Sequence, residues 1–209
     1  MRLFILGASG KTGVDLMDLA LKKGHRITAF VRSPEKIAIA QPGLDVIKGS
    51  PSDVEDMSRA MIGHDAVFSA LGPKPREVFT ALKNRSWTME DFVSKTILAM
   101  QKASVARLVL FSSAGLFPGG SIFERFLSFL GRNHMKDLRR MEKAVTDSPL
   151  NWTIVRPTWL AKTQDEEYRA ETGALPSSPA TLSHRALAKF MLDSAEQGLY
   201  PRQIVGLSR

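Results

Sequence analysis

The stretch that most restricts how this chain can fold is its opening, Met1 to Gly13, which reads Met-Arg-Leu-Phe-Ile-Leu-Gly-Ala-Ser-Gly-Lys-Thr-Gly. An apolar run, Leu3 to Leu6, stops on Gly7, and an amphipathic stretch begins at Lys11, so a strand passes into a helix through a tight glycine turn. That order builds a phosphate cradle. Gly7 permits the turn, Gly10 lets the backbone approach a pyrophosphate, Gly13 lets the helix pack onto the strand, and the first N–H groups of the helix face the anion. Gly10-Lys11-Thr12 also resembles the end of a nucleoside-triphosphate loop. The opening glycine of that motif would fall on position 5, which is Ile5, so the competitor fails.

At 209 residues and 44% hydrophobic content, the chain suffices for one well-filled α/β domain and is short for two. Residues 1–209 are therefore expected to form a single domain. The absence of Cys excludes disulfides, thiolate metal sites and cysteine nucleophiles, and it fits a reducing, cytoplasmic setting. The first strand starts almost at Met1, leaving no room for a leader, and no apolar run approaches the roughly 20 residues of a membrane helix. No membrane attachment is expected. The net charge of +8 would suit an anionic partner, yet its densest patch, Lys136, Arg139, Arg140 and Lys143, lies at helical spacing opposite Leu138, Met141 and Val145. This is the solvated face of an amphipathic helix rather than a nucleic-acid stripe.

Beyond the glycine turn, Val14, Met17 and Leu21 mark a helix that ends at Lys22-Lys23-Gly24, where a left-handed cap is expected. Ile27 to Val31 reads as the second strand, Val46-Ile47 as a short third, and Asp53 as the cap of a helix through Val54, Met57 and Met61. Ala66 to Leu71 is the fourth strand, ending at Gly72-Pro73 and followed by a basic, proline-containing loop to Arg85. A helix over 89–103 leads to the fifth strand, Leu108 to Phe111, and to Ser112-Ser113-Ala114-Gly115. The run Ile122 to Leu130 is unusually aromatic; it suits satellite core, a dimer contact or a lid over an apolar substrate. A helix over 135–145, a sixth strand at Trp152 to Val155, an unpatterned stretch from Thr158 to Pro179, a helix capped by Ser183 and a last strand at Gln203 to Gly206 complete the chain. This alternation predicts a single Rossmann-like, doubly wound parallel sheet of about six to seven strands with helices on both faces. The ligand side would lie beyond the strands' carboxyl ends, with substrate-side segments at about 115–134 and 158–183.

The residue after the second strand selects the cofactor. NAD enzymes place Asp or Glu there to accept from the ribose 2′-OH, whereas this chain has Arg32. A guanidinium pairs with a 2′-phosphate and stacks on adenine, so NADP(H) is the expected cofactor, with Ser33 and Lys36 as further donors.

Gly7 to Gly13, Arg32-Ser33-Pro34-Glu35-Lys36, Ala70-Leu71-Gly72, Ser112-Ser113-Ala114-Gly115 and Thr153-Ile154-Val155-Arg156-Pro157 resemble, in order and spacing, the atypical short-chain dehydrogenase/reductases. The chain is most similar to the compact NAD(P)H-binding group that includes NmrA-like proteins and biliverdin reductase B, a flavin reductase. The resemblance implies that Gly7, Ser9, Gly10, Lys11 and Thr12 line the pyrophosphate and that Arg32 holds the 2′-phosphate. It places Asp53 and Val54 near adenine, Leu71 and Gly72 under the ribose, Ser112 and Ser113 at the nicotinamide, and Pro157 to Leu160 beside its amide. The family commonly has Gly-Asp after the third strand, where this chain has Gly49-Ser50.

Active dehydrogenases of this fold use a Tyr and a Lys one helical turn apart. Counting back from Arg156-Pro157, those places fall on His134 and Leu138, and neither Tyr168 nor Tyr200 has Lys four residues later. The candidate catalytic groups are Ser113, as a donor to a bound acceptor, and His134, whose imidazole titrates near neutrality. Ser113 equally suits a strand-end serine that satisfies backbone groups, and His134 a helix-start residue. No metal-ligand spacing occurs among the four His residues. Two functions follow: an NADPH-dependent reductase of a planar acceptor such as a flavin or quinone, or a non-catalytic NADP(H)-sensing regulator that contacts a protein partner.

Overall fold

The computed structural model describes residues 1–37, 41–72, 89–118 and 132–209. In chain order the elements are β1 (Arg2–Leu6), α1 (Lys11–Lys22), β2 (Arg26–Val31), β3 (Leu44–Lys48), α2 (Val54–Met61), β4 (Ala66–Ser69), α3 (Met89–Lys102), β5 (Arg107–Phe111), α4 (Arg132–Thr146), β6 (Asn151–Pro157), β7 (Leu160–Ala161), β8 (Arg169–Thr172), β9 (Leu182–Ser183), α5 (His184–Glu196) and β10 (Gln203–Ser208). The aromatic run Ile122 to Leu130 and the basic loop that begins at Pro73 lie outside the described residues.

The strands form one sheet in the order β3-β2-β1-β4-β5-β6-β10-β8. Every neighbouring pair is parallel except the last, β10 with β8. The sheet therefore has eight strands, more than the six to seven expected from the sequence. The unexpected one is β8, an edge strand inside the stretch that showed no periodicity. Only one of its edges is paired, and its residues Arg169, Ala170, Glu171 and Thr172 are polar or small, so backbone bonding to β10 rather than burial defines it. β7 and β9 make a separate two-stranded pairing.

Alternation along the strands sorts the core into two layers. Leu3, Ile5, Ala29, Phe68, Val109 and Val155 join Leu16, Met17, Leu187, Phe190 and Met191 on the face covered by α1 and α5. Phe4, Leu6, Val67, Leu108, Leu110 and Ile154 join Met57, Met61, Met100, Met141 and Val145 on the face covered by α2, α3 and α4. The basic residues Lys136, Arg139, Arg140 and Lys143 of α4 are exposed, while Leu138, Met141 and Val145 are buried, as the amphipathic spacing requires.

Local signals end the helices. Gly24, at φ +78°, follows α1, and Gly24 N–H donates to Leu21 O at 2.9 Å. Asp53 Oδ1 accepts from Asp56 N at 3.0 Å and Ser183 Oγ from Ala186 N at 2.8 Å, capping α2 and α5. At the amino end of β5, Arg107 is buried and donates to the carbonyls of Ser194, Leu199 and Asn151, which fastens the end of α5 under the sheet. Burial lowers its pKa to about 10.

Candidate functional site

The strand order reverses direction between β1 and β4, and the glycine turn sits there. Gly7 takes φ +78°, and a Cβ on it would lie 2.5 Å from the carbonyl oxygen of Ala70. The turn after β1 is therefore pressed against the turn after β4, which carries Leu71 and Gly72. A Cβ on Gly13 would lie 2.3 Å from Gly7 O, so the first turn of α1 sits directly on the glycine loop. Gly10 N–H donates to Gly7 O at 2.9 Å, and a Cβ there would meet Gly7 O at 3.2 Å. Gly10 is the N-cap of α1, with no side-chain cap and no acidic residue in the first turn, so the helix end keeps its positive character for an anion. Ser9 and Lys11 are exposed on this turn, and Thr12 is buried.

The remaining candidates sit just past neighbouring strand ends. Arg32 and Ser33 follow β2, with Arg32 exposed. Asp53 follows β3, its carboxylate engaged as the α2 cap. Gly49 N–H donates to Val31 O at 2.9 Å, and a Cβ at Gly49 would overlap the Phe30 ring at 2.0 Å, which accounts for glycine there; Ser50 Oγ accepts from Ser52 N at 3.2 Å. Ser112 N–H donates to Val155 O at 2.6 Å, and its buried Oγ has no hydrogen-bond partner among the described residues. Ser113 Oγ accepts from Gly115 N at 3.2 Å, which caps the short turn Ala114–Leu116 and leaves the hydroxyl proton available. Pro157 closes β6 and is buried. These positions together line one edge of the sheet.

His134, in the first turn of α4, is partly buried, and burial lowers its pKa, partly offset by Asp137. Asp137 itself accepts from Met89 N at 2.7 Å, joining α4 to the start of α3. Leu138 is buried among Met141, Val145 and Leu110. Tyr168 is held away from proton transfer. Its hydroxyl donates to Asp193 Oδ2 at 3.0 Å, and burial with the Asp193 charge pushes its pKa far above the ordinary value.

Sequence reasoning missed a second group of residues. A cleft of about 380 Å³ is lined by Ser9, Gly10, Lys11, Val14 and Asp15 from the glycine turn and α1, by Lys162, Thr163 and Gln164, and by His184. The segment after β6 reaches it because Leu182 N–H donates to Trp159 O at 2.9 Å, Thr158 Oγ1 to Ala180 O at 2.7 Å and Ser183 Oγ to Asp165 O at 2.5 Å. Thr12 Oγ1 and His184 Nδ1 are hydrogen-bonded at 2.9 Å across 172 positions of sequence. The fixed N-cap signal at Ser183 located His184 at a helix start, but its pairing with Thr12 is a tertiary fact with no local signature.

A glycine turn at the reversal point of a parallel sheet, backed by an uncapped helix start, defines a Rossmann-like dinucleotide-binding domain. A family model described as NAD(P)H-binding matches residues 7–198, and the chain belongs to that family. An uncharacterized chloroplastic protein of Arabidopsis thaliana is 30% identical over 169 residues, 75% of this chain and 58% of that protein. A (4-alkanoyl-5-oxo-2,5-dihydrofuran-3-yl)methyl phosphate reductase of Streptomyces griseus is 26% identical over 164 residues, 77% of this chain and 49% of the enzyme. The chain thus spans about half the length of these curated relatives. A wide-type short-chain dehydrogenase/reductase of Veillonella parvula, solved in complex with NADP, superposes with a TM-score of 0.78 at 21% identity over 100% of this chain and 94% of that one. Among the described residues no helix is long and apolar enough to cross a membrane, and no group of three His, Asp or Glu is placed to hold a metal.

Proposed function

We propose that the protein is an NADPH-dependent oxidoreductase that passes a hydride to a planar acceptor, such as a flavin or a quinone, without a tyrosine–lysine dyad. The observation that carries this reading is the start of α1 at Gly10, which has no side-chain cap and no acidic residue in its first turn and is fixed at the reversal point of the sheet by the close backbone packing of Gly7 on Ala70 and of Gly13 on Gly7. Gly7, Ser9, Gly10, Lys11, Thr12 and Gly13 receive the pyrophosphate, Arg32 and Ser33 the 2′-phosphate, Asp53 the adenine side, and Leu71 and Gly72 the ribose. Ser112, Ser113 and Pro157 border the nicotinamide; the buried, unpartnered Ser112 Oγ suits a hydroxyl that finds its partner in a ligand. When bound, the cofactor supplies the hydride.

His134 and Leu138 support the choice of acceptor. Leu138 carries no charge to lower a partner's pKa, and His134, its own pKa depressed by burial, is a neutral and weak acid at pH 7. A carbonyl in need of a strong proton donor is poorly served. A conjugated ring system takes hydride at one atom and a proton from water at another, so the chain's work is orientation and exclusion of solvent. Trp159, 70% exposed beside the end of β6, is available as a stacking wall. The setting is the cytoplasm, in keeping with a chain that has no Cys.

The test is NADPH oxidation in a panel of flavins and quinones. Turnover above the uncatalysed rate is expected. A panel without turnover, alongside tight NADPH binding, would sink the reductase and favour an NADP(H)-sensing regulator, whose partner would then be recovered in a cofactor-dependent pull-down.

A further inference from the structure

The cleft beside the glycine turn contains more cationic and donor groups than the fold needs. Lys11 and Lys162 both line it, and neither makes a hydrogen bond or an ion pair with a described residue. A surface lysine usually stays solvated, but two from segments about 150 positions apart, drawn to one cleft by the tied segment after β6, concentrate positive charge there. Asp15 is the single carboxylate among the lining residues; burial raises its pKa, opposed by the nearby charge of Arg185. The first turns of α1 and α5 contain no acidic residue, so neither helix end neutralises the lysines.

The Thr12–His184 pair adds a donor. His184 has its pKa lowered by burial and by Lys11, which keeps the ring neutral at pH 7. With one ring proton and one hydroxyl proton shared across a single 2.9 Å contact, only one of the two is consumed. If Thr12 donates to Nδ1, Nε2 holds a free N–H; if Nδ1 donates to Thr12, the hydroxyl proton is free. The first arrangement puts the free donor on His184, which lines the cleft; in the second it sits on Thr12, which is buried behind the lining.

We infer that Lys162 and His184 form a second wall for the cofactor's diphosphate, holding it from the segment after β6 while the glycine turn holds it from below β1's end. The inference rests on the dinucleotide reading given above and adds residues that the fingerprint does not contain. Lys162 supplies charge, the Thr12–His184 pair supplies a directed hydrogen bond, and both come from segments that close over the turn. The shared chemistry is a phosphate ester, and the diphosphate of the dinucleotide is its source here rather than a separate phosphorylated molecule.

Direct binding of NADPH, of adenosine 2′-monophosphate and of orthophosphate to the full chain provides the test. Lys162→Ala is expected to weaken NADPH about tenfold, the loss typical of one charge-assisted hydrogen bond, and His184→Asn several-fold. Adenosine 2′-monophosphate, which lacks the diphosphate, should bind the wild type and Lys162→Ala equally. Unchanged NADPH affinity in both variants would overturn the inference and leave the cofactor reading intact, whereas a wild type that binds no NADPH would remove both. Equal weakening of adenosine 2′-monophosphate would place Lys162 on the adenosine half and overturn the assignment. Orthophosphate that binds the wild type but not Lys162→Ala, with NADPH affinity equal in the two, would assign the cleft to a separate phosphate ester instead.

Discussion

Arg156 and Glu142 are joined by two hydrogen bonds, Nε to Oε1 at 3.0 Å and Nη2 to Oε2 at 2.6 Å, and the pair ties the end of β6 to the middle of α4. Both side chains are largely buried, and the guanidinium also lies 4.5 Å from the centre of the Phe117 ring. Removal of one partner leaves the other charged and out of water. Glu142→Ala should therefore lower unfolding stability by about 3–5 kcal/mol, whereas Glu142→Leu combined with Arg156→Met should recover most of it. Urea denaturation of the two variants beside the wild type measures this; a Glu142→Ala variant as stable as the wild type would show that the pair is solvated.

Glycines inside and outside the glycine turn should respond differently to one methyl group. Gly7 and Gly24 share φ +78°, but a Cβ on Gly24 meets nothing within 4 Å. Gly24→Ala should cost only the left-handed strain, about 1 kcal/mol. Gly13→Ala must separate α1 from the glycine loop and should cost about 3 kcal/mol or more, with loss of cofactor binding. Denaturation midpoints of the two variants that coincide would contradict the close approach at Gly13.

Acid should weaken the fold before the carboxylates titrate. His64 Nδ1 lies 3.0 Å from Met61 O, which can only accept, so Nδ1 carries the proton and Nε2, 2.8 Å away from Thr28 Oγ1, accepts from that hydroxyl. Protonation of Nε2 would reverse this contact, the ring then donating to Thr28 Oγ1, but it would also place a charge in a half-buried site, and burial is the main cause of the lowered pKa. The unfolded chain then binds the proton first. Stability is complete above the ordinary value of 6.5 and falls as the pH drops from there through the depressed folded-state pKa. His134 and His184 are lowered as well and act with the same sign. Stability measured from pH 7.5 to 5 should decline, and His64→Gln should flatten part of that slope; an unaltered slope would exclude His64 as a contributor.

Arg32→Glu tests cofactor choice. The substitution removes a pairing group for the 2′-phosphate and puts a like charge in its place, so NADPH affinity should fall by roughly 30-fold or more while NADH affinity changes little. Titration with each cofactor distinguishes the two. Equal effects on both would mean that Arg32 serves the fold rather than the phosphate.

Most of the sheet was legible because its strands are covered on both faces. Leu3 to Leu6 and Ala66 to Leu71, interrupted only by Ser69, read as apolar runs, and the glycine turns mark their ends. The helix stop at Gly24 and the helix starts at Asp53 and Ser183 follow from local backbone chemistry and could be read in the same way. What could not be read depends on distant partners. β8 is polar and held by backbone bonds; Gly206 is small because Ala174 O would lie 1.9 Å from a Cβ; and Arg156–Glu142 and Thr12–His184 are pairings between elements. Within the site, positions where backbone closely approaches backbone left a glycine signature, whereas Lys162 and His184, which line the cleft with ordinary side chains, left none.

The eighth strand has a bearing on how a ligand leaves. The segment that carries Lys162 is not a free flap: a few residues on, it becomes β8, whose amides and carbonyls are laced to β10, and it returns through β9 to the cap of α5. Large excursions of the segment therefore require unzipping of a sheet margin, and Leu160 and Ala161 are paired to β9, while Lys162, Thr163 and Gln164 lie between the two pairings. An occupant that leaves past these three residues would disturb no strand pairing, whereas one that leaves through the margin would require local unfolding of β8. Amide exchange along Arg169–Thr172 thus becomes a gauge of which route the molecule uses, and of how firmly an occupant at the glycine turn stitches the far border of the sheet.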